Sequence, residues 1–177
     1  EVAGKKFSIV DILCRTETGE KIIVEMQIAL DKGFEKRAQY YAAKAYSRQL
    51  DYGTGKYSDL KGVVFIAISN SIIFKNKKQF KSDHAILDKS SHENDLKDFK
   101  FTFIELPKFE KTIESLTSMI DKWCYFFKHA KDTDEKDAKK LGSYSTLKNA
   151  FSELNKFNWQ ENELDAYEMR MNAEMAL

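Results

Sequence analysis

Residues 10–27 read VDILCRTETGEKIIVEMQ, and this stretch decides the fold. β-Branched and other apolar residues favour extended backbone, and they occur here on both sides of the turn signal Thr18-Gly19. The pattern predicts one strand over Lys6 to Arg15 and a second over Lys21 to Ala29. Because only a short turn separates them, the two strands are expected to pair as a β-hairpin.

Beyond the hairpin, apolar periodicity predicts a crossover helix and a buried strand. Residues at helical spacing from about Gly33 to Tyr52 indicate the helix, and the glycines after it end the pattern. The continuously apolar run Gly62 to Ile68 indicates a strand covered on both faces, at the centre of the sheet. Phe101 to Leu106 alternates as a further strand. The polar segment Asn76 to Lys100 is too irregular to place, although part of it can form a short extra strand.

The carboxyl-terminal part of the chain is expected to be helical. After the only proline, Pro107, apolar residues from Ile113 to Phe127 mark one stripe of a helix. The charged stretch Lys131 to Lys140 has the composition of a solvated linker. Two further helices are predicted over Tyr144 to Phe157 and Asn158 to Leu177.

This order of elements predicts an α/β fold with a mixed β-sheet flanked by helices and a carboxyl-terminal helical extension. The core domain is expected over residues 1–130 and the extension over 131–177. The 177 residues carry a formal net charge of +1, which neither supports nor excludes DNA as a partner. Cys14 and Cys124 lie in apolar runs, so they are expected to be buried thiols of a reducing, cytoplasmic compartment. No apolar stretch reaches the roughly 20 residues of a membrane span, which predicts a soluble protein without a membrane partner.

The hairpin carries the residues that point to chemistry. Period-two alternation puts Glu25 and Gln27 on one face of the second strand, and Asp11 interrupts an apolar run on the first. If the hairpin is centred near Thr18, Asp11 and Glu25 lie opposite each other, and two such carboxylates repel unless protonated or bridged by a cation. Oxygen ligands without nearby His or Cys favour Mg²⁺ or Mn²⁺ and suggest metal-assisted phosphodiester hydrolysis. Spacing alone leaves open that both carboxylates are solvent-facing edge charges in another register.

The sequence resembles the PD-(D/E)XK nuclease family transposases, which are recombination-promoting nucleases. Four separated blocks carry this resemblance in the family's order: Val10-Asp11-Ile12-Leu13-Cys14 with Ile23-Val24-Glu25-Met26-Gln27, Phe34 with Arg37-Ala38-Gln39-Tyr40-Tyr41, Tyr46 and Gln49, Leu60-Lys61-Gly62-Val63-Val64, and Phe103-Ile104-Glu105-Leu106-Pro107-Lys108-Phe109 with Lys122-Trp123. They cover roughly residues 4 to 128.

The resemblance implies a restriction-endonuclease-like fold and a DNA endonuclease active in bacterial DNA mobility, associated with the nucleoid. It implies that Asp11, Glu25 and the backbone carbonyl of Met26 bind Mg²⁺ or Mn²⁺, with Gln27 as a catalytic helper. Arg37 and Gln49 resemble the family's helix motif, and they are predicted to contact DNA. Cleavage of both strands would suggest a homodimer.

Two departures from the family pattern shape the alternative hypothesis. In the wider superfamily a lysine usually occupies the position of Gln27, so a charged helper is missing. The helical amino-terminal region that the family generally has is also expected to be missing from this chain. The alternative to an active enzyme is therefore a catalytically silent nuclease-fold module that binds DNA or a protein partner.

Overall fold

The computed structural model describes residues 11–28, 32–50, 55–129, 141 and 146–150. The chain divides into two compact units, Glu1–Glu110 and Lys111–Leu177. The first unit contains the β-sheet and the residues predicted to form the site. The described part of the second unit is mainly helical.

The first unit is built on a five-stranded mixed sheet. Its strands are β1 (Ile12–Arg15), β2 (Lys21–Gln27), β3 (Val63–Ser69), β4 (Lys81–Ala85) and β5 (Phe99–Glu105). They lie in the order β1-β2-β3-β5-β4, with β2, β3 and β5 parallel and each edge strand antiparallel to its neighbour. The predicted central strand is β3, which lies in the middle of the sheet as expected.

The predicted β-hairpin is formed by β1 and β2. Its turn is closed by the amide of Thr16, which donates to the carbonyl of Glu20 at 2.9 Å. Gly19 has a φ of 90°, a left-handed conformation that glycine adopts without steric cost. Strand β2 ends at Gln27, before the predicted end at Ala29. Residues 6–10 of the predicted first strand lie outside the described residues.

The crossover between β2 and β3 is helix α1 (Phe34–Ser47). It ends earlier than predicted because the chain tightens into a 3₁₀ turn at Arg48–Leu50, and residues 51–54 lie outside the described residues. Spacing of four residues puts Phe34, Ala38 and Ala42 on one face of α1, where they pack on the sheet. The core they join consists of Ile23, Phe34, Ala38, Ala42, Val63, Phe65, Ala67 and Phe103.

Strand β4 lies in the polar segment that the sequence pattern could not place. Its residues KSDHA contain no apolar alternation, and pairing with β5 alone holds the strand at the sheet edge. His84 lies in this strand with its ring centroid 5.3 Å from that of Phe103. Burial there lowers its pKa.

The second unit begins with a 3₁₀ turn at Ile113–Ser115 and continues into helix α2 (Met119–His129). The prediction of a helix from about Ile113 was wrong at its start, because a capping box begins α2 later. The Ser118 amide donates to Asp121 Oδ2 at 3.0 Å, and the Asp121 amide donates to Ser118 Oγ at 3.1 Å. Residues 146–150 are helical, and the rest of the two predicted final helices lies outside the described residues.

In the ranges that the structure describes, no helix combines the length and apolar character that crossing a membrane requires.

Candidate active site

The register of the hairpin is the one that the spacing of Asp11 and Glu25 predicted. Ile12 lies opposite Val24 and Arg15 lies opposite Lys21, which centres the register on residue 18, as the spacing predicted. Continuing the same register by one residue places Asp11 across from Glu25. The alternative register, which would separate the two carboxylates, does not occur.

The carboxylate of Asp11 binds the backbone of β2. Asp11 is exposed, and its Oδ2 accepts a hydrogen bond of 2.7 Å from the Met26 amide. In a β-ladder the N–H and C=O of one residue point toward the same neighbouring strand. The carbonyl of Gln27 points to the opposite side of β2, toward β3. It accepts a hydrogen bond of 2.9 Å from the amide of Asn70, the residue that follows β3. The carbonyl of Met26 therefore faces the same side of β2 as Asp11.

The carboxylate of Glu25 lies beneath helix α1. The residue is only 7% exposed, and carboxylates are rarely buried so far unless they are paired. Arg37 provides such pairing, because its Nη2 lies 3.4 Å from Glu25 Oε1. Glu25 shares its face of β2 with the core residue Ile23, which explains why α1 covers it. It is not a solvent-facing edge charge.

Arg37 connects the two site residues of β2. Its Nη2 donates a hydrogen bond to Gln27 Oε1 while it faces the Glu25 carboxylate. Its guanidinium carbon lies 5.0 Å from the ring centroid of Phe34, within cation–π range. The side chain remains 27% exposed. One guanidinium thus joins the carboxylate and the amide of the predicted catalytic face.

Gln49, the other predicted DNA contact, bonds to the backbone before β3. Its Nε2 donates to the Lys61 carbonyl at 2.8 Å, and its Oε1 accepts from the Lys61 amide at 3.0 Å. Both ends of the side-chain amide are therefore engaged within the protein. A role for Gln49 in DNA binding stays a prediction.

Sequence reasoning missed a second polar group at the carboxyl ends of the parallel strands. The strand register aligns Gln27 with Ser69 and Ser69 with Glu105, so the three residues form a row across β2, β3 and β5. Ser69 and Glu105 are fully buried. The available signal was the Glu-x-x-Lys spacing directly after the apolar strand Phe101 to Ile104.

Glu105 organises the loop that follows β3. Its Oε1 accepts hydrogen bonds from the amides of Ile73 and Phe74 at 2.6 and 2.9 Å, and its Oε2 lies 2.8 Å from Lys108 Nζ. Lys108 Nζ also donates to the Phe74 carbonyl at 2.7 Å. This network fixes the loop beside the row of polar residues, and it is structural in character.

The oxygen atoms predicted as ligands on the hairpin are of the type that a hard divalent cation binds. They are the carboxylate oxygens of Asp11 and Glu25 and a main-chain carbonyl, an all-oxygen set that Mg²⁺ and Mn²⁺ accept. Among the described residues, no group of three or more His, Cys, Asp and Glu side chains is placed to hold a metal ion. A site with two protein carboxylates would take its remaining ligands from water and substrate phosphate.

Comparison with known proteins identifies the family to which this arrangement belongs. No curated protein matches the chain, and no solved structure does. The sequence model of one family, described as PD-(D/E)XK nuclease family transposase, matches residues 1–176. The mixed five-stranded sheet flanked by helices is consistent with the restriction-endonuclease-like fold of such nucleases, which typically use divalent metals. The chain therefore belongs to the PD-(D/E)XK nuclease family transposases.

Proposed function

We propose that this chain is a metal-dependent DNA endonuclease that hydrolyses phosphodiester bonds and promotes recombination. The observation that supports the proposal most directly is the hairpin register, which brings Asp11 across from the buried Glu25. Carboxylates opposite each other on one face of a hairpin repel each other, and a bound cation would relieve that repulsion. Membership in a nuclease family of transposases supplies the substrate class.

Three groups would hold Mg²⁺ or Mn²⁺: the carboxylates of Asp11 and Glu25 and the backbone carbonyl of Met26. When bound, such an ion supplies Lewis-acid charge at the phosphodiester. The hydrogen bond from the Met26 amide fixes Asp11 before any ion binds, because it restricts the carboxylate to the end of β2. Restraint of the Asp11 carboxylate in the folded protein would lower the cost of binding an ion.

The remaining groups of the site act on the DNA. The Gln27 amide lies on the same face as Glu25, where it can contact a phosphate oxygen. The DNA contacts predicted for Arg37 and Gln49 stay predictions, since each side chain also has a protein partner. One site cuts one strand, so we propose that double-strand cleavage requires a homodimer.

Relaxation of supercoiled plasmid by the full chain with Mg²⁺ or Mn²⁺ tests this function. We expect Asp11→Asn and Glu25→Gln each to lower the cleavage rate by roughly 1000-fold, because each removes a charged metal ligand without changing side-chain size. Glu17→Gln is the matched control, since Glu17 is an exposed carboxylate on the turn of the same hairpin. Cleavage that survives both site substitutions at the wild-type rate would show that the assigned site is wrong.

A catalytically silent module is the second candidate function. The observation in its favour is the contact of Arg37 with Glu25, because a cation would have to share this carboxylate with a guanidinium. Calorimetry with Mn²⁺, and separately with duplex DNA, distinguishes the two functions. Tight DNA binding without metal binding or cleavage would favour the silent module.

A further inference from the structure

We propose that Arg37 is a positioning residue of the active site, which orients the Gln27 amide and the Glu25 carboxylate. The reaction it serves rests on the proposed function, whereas the arrangement of the three side chains does not. The proposal rests on two contacts of Arg37 Nη2, which donates to Gln27 Oε1 and lies 3.4 Å from Glu25 Oε1.

The chemistry of Arg37 decides which way the Gln27 amide points. A guanidinium has only donors, so the atom of Gln27 that faces it must be the carbonyl oxygen. Gln27 then turns its NH₂ group away from the guanidinium. In that orientation the NH₂ group is the end of the amide that would donate to a phosphate oxygen, while the oxygen accepts from Arg37. Arg37 thereby makes Gln27 a donor for substrate phosphate.

The same guanidinium compensates for the burial of Glu25. An ionised carboxylate that is only 7% exposed has lost most of its hydration, which is costly without an opposite charge. Arg37 provides that charge from the first turns of α1, independently of any metal ion. The Arg37 guanidinium therefore holds the Glu25 carboxylate in position in the metal-free protein.

The position of Arg37 is itself restrained. Phe34 lies one helical turn earlier, and its ring contacts the guanidinium face at 5.0 Å. Phe34 is buried in the core, so this contact is anchored. An arginine held at three points is suited to orient its neighbours, whereas a phosphate-binding arginine needs donors that face solvent.

The first test uses metal-free protein and needs no cleavage. Arg37→Met removes the charge and the donors, and Arg48→Met is the matched control because Arg48 is an exposed arginine at the end of the same helix. In an NMR spectrum, we expect Arg37→Met to shift the Gln27 side-chain amide resonances, because the amide oxygen loses its charged donor. Absence of these resonances in Gln27→Leu assigns them. Unchanged Gln27 resonances in Arg37→Met would overturn the proposal.

The second test is rescue by a lysine at position 27. We expect Arg37→Met to lower the Tm by about 4 °C, since Glu25 loses its charged partner. In the double variant Arg37→Met/Gln27→Lys, an ammonium two residues from Glu25 on the same strand face replaces the lost charge. Recovery of at least half of the Tm loss supports the proposal. A double variant no more stable than Arg37→Met contradicts it.

The third test separates positioning from DNA binding by kinetics. We expect Arg37→Met to lower kcat by about 100-fold, with KM for DNA changed less than twofold, because an oriented donor acts on the reacting phosphate. A raised KM with unchanged kcat would overturn the proposal in favour of a DNA contact. If the wild-type chain does not cleave DNA, the proposed function fails, while the NMR and melting tests still decide the role of Arg37.

Discussion

Glu25 and Glu105 are both buried glutamates near the carboxyl ends of parallel strands, yet their surroundings differ. Glu105 is fully buried, and its two oxygens accept from the amides of Ile73 and Phe74 and from Lys108. Lys108 is itself 9% exposed. Glu25 retains 7% exposure, and the guanidinium beside it is 27% exposed.

The difference separates a glutamate that holds the fold from one that the proposed function assigns to chemistry. Two backbone amides of the loop after β3 donate to Glu105, and these hydrogen bonds hold the loop in place. The carboxylate of Glu105 therefore stabilises the fold. Glu25 faces a side chain that reaches in from solvent, next to the exposed carboxylate of Asp11. Two glutamates of similar burial therefore differ in the groups that enclose them, which are backbone amides and a lysine at Glu105 and a partly exposed arginine at Glu25.

The largest effect on stability is expected at Glu105. In Glu105→Gln the new NH₂ group faces either Lys108 Nζ or the two loop amides, and donors then oppose donors. We expect the free energy of unfolding to fall by about 3 kcal/mol, as when one partner of a buried ion pair is removed. Urea unfolding followed by circular dichroism measures this change.

Glu25→Gln is the matched comparison in the same experiment. Its Arg37 partner is partly solvated and keeps Gln27 as an acceptor, so we expect a stability loss below about 1 kcal/mol. Similar losses for the two variants would break the distinction between a structural and a functional glutamate.

Sequence patterns revealed more of the hairpin than of the groups that cover it. Strand register follows from local spacing, so Thr18 as the centre of the hairpin predicted Asp11 opposite Glu25. The burial of Glu25 could not be read locally, because it depends on where α1 crosses the sheet. Glu105 was overlooked for the same reason, since its partners arrive from the loop after β3. Strand β4 has no pattern of its own, because β5 imposes its extended conformation.

A third buried carboxylate, Asp121 in the second unit, extends the comparison to a helix terminus. It is 2% exposed, and it accepts from the amides of Thr117 and Ser118 and from Lys111 Nζ at 2.8 Å. Because these groups saturate it as the loop amides saturate Glu105, we expect Asp121→Asn to cost about 2 kcal/mol at pH 7. Urea unfolding measures the loss, and exposed Glu114→Gln is the control on the same segment.

The pH dependence of that loss gives an independent check. Burial raises the pKa of Asp121, but Lys111 and the helix amides lower it more, so its pKa lies below the ordinary value of 3.8. The stabilisation is therefore complete above pH 3.8 and is lost as the pH falls below it. The difference between wild type and Asp121→Asn should shrink in that acidic range. A difference that is constant down to pH 2 would mean that the charge of Asp121 contributes nothing.

A small effect is expected at Gln49, and it sharpens the contrast with Arg37. Both were predicted to contact DNA, but Gln49 uses both ends of its amide on the backbone of Lys61. In Gln49→Ala the Lys61 groups can turn to water, so we expect a loss of only about 1 kcal/mol.

Binding DNA through Gln49 would require breaking these two hydrogen bonds, so its substitution should leave the Kd for duplex DNA within twofold. Fluorescence anisotropy with labelled DNA measures that Kd, and thermal melting measures stability. A weakened Kd with unchanged Tm would instead make Gln49 a DNA contact. In that case, hydrogen bonds to the backbone would not be enough to mark a polar side chain as structural, and burial as complete as that of Glu105 would also be required.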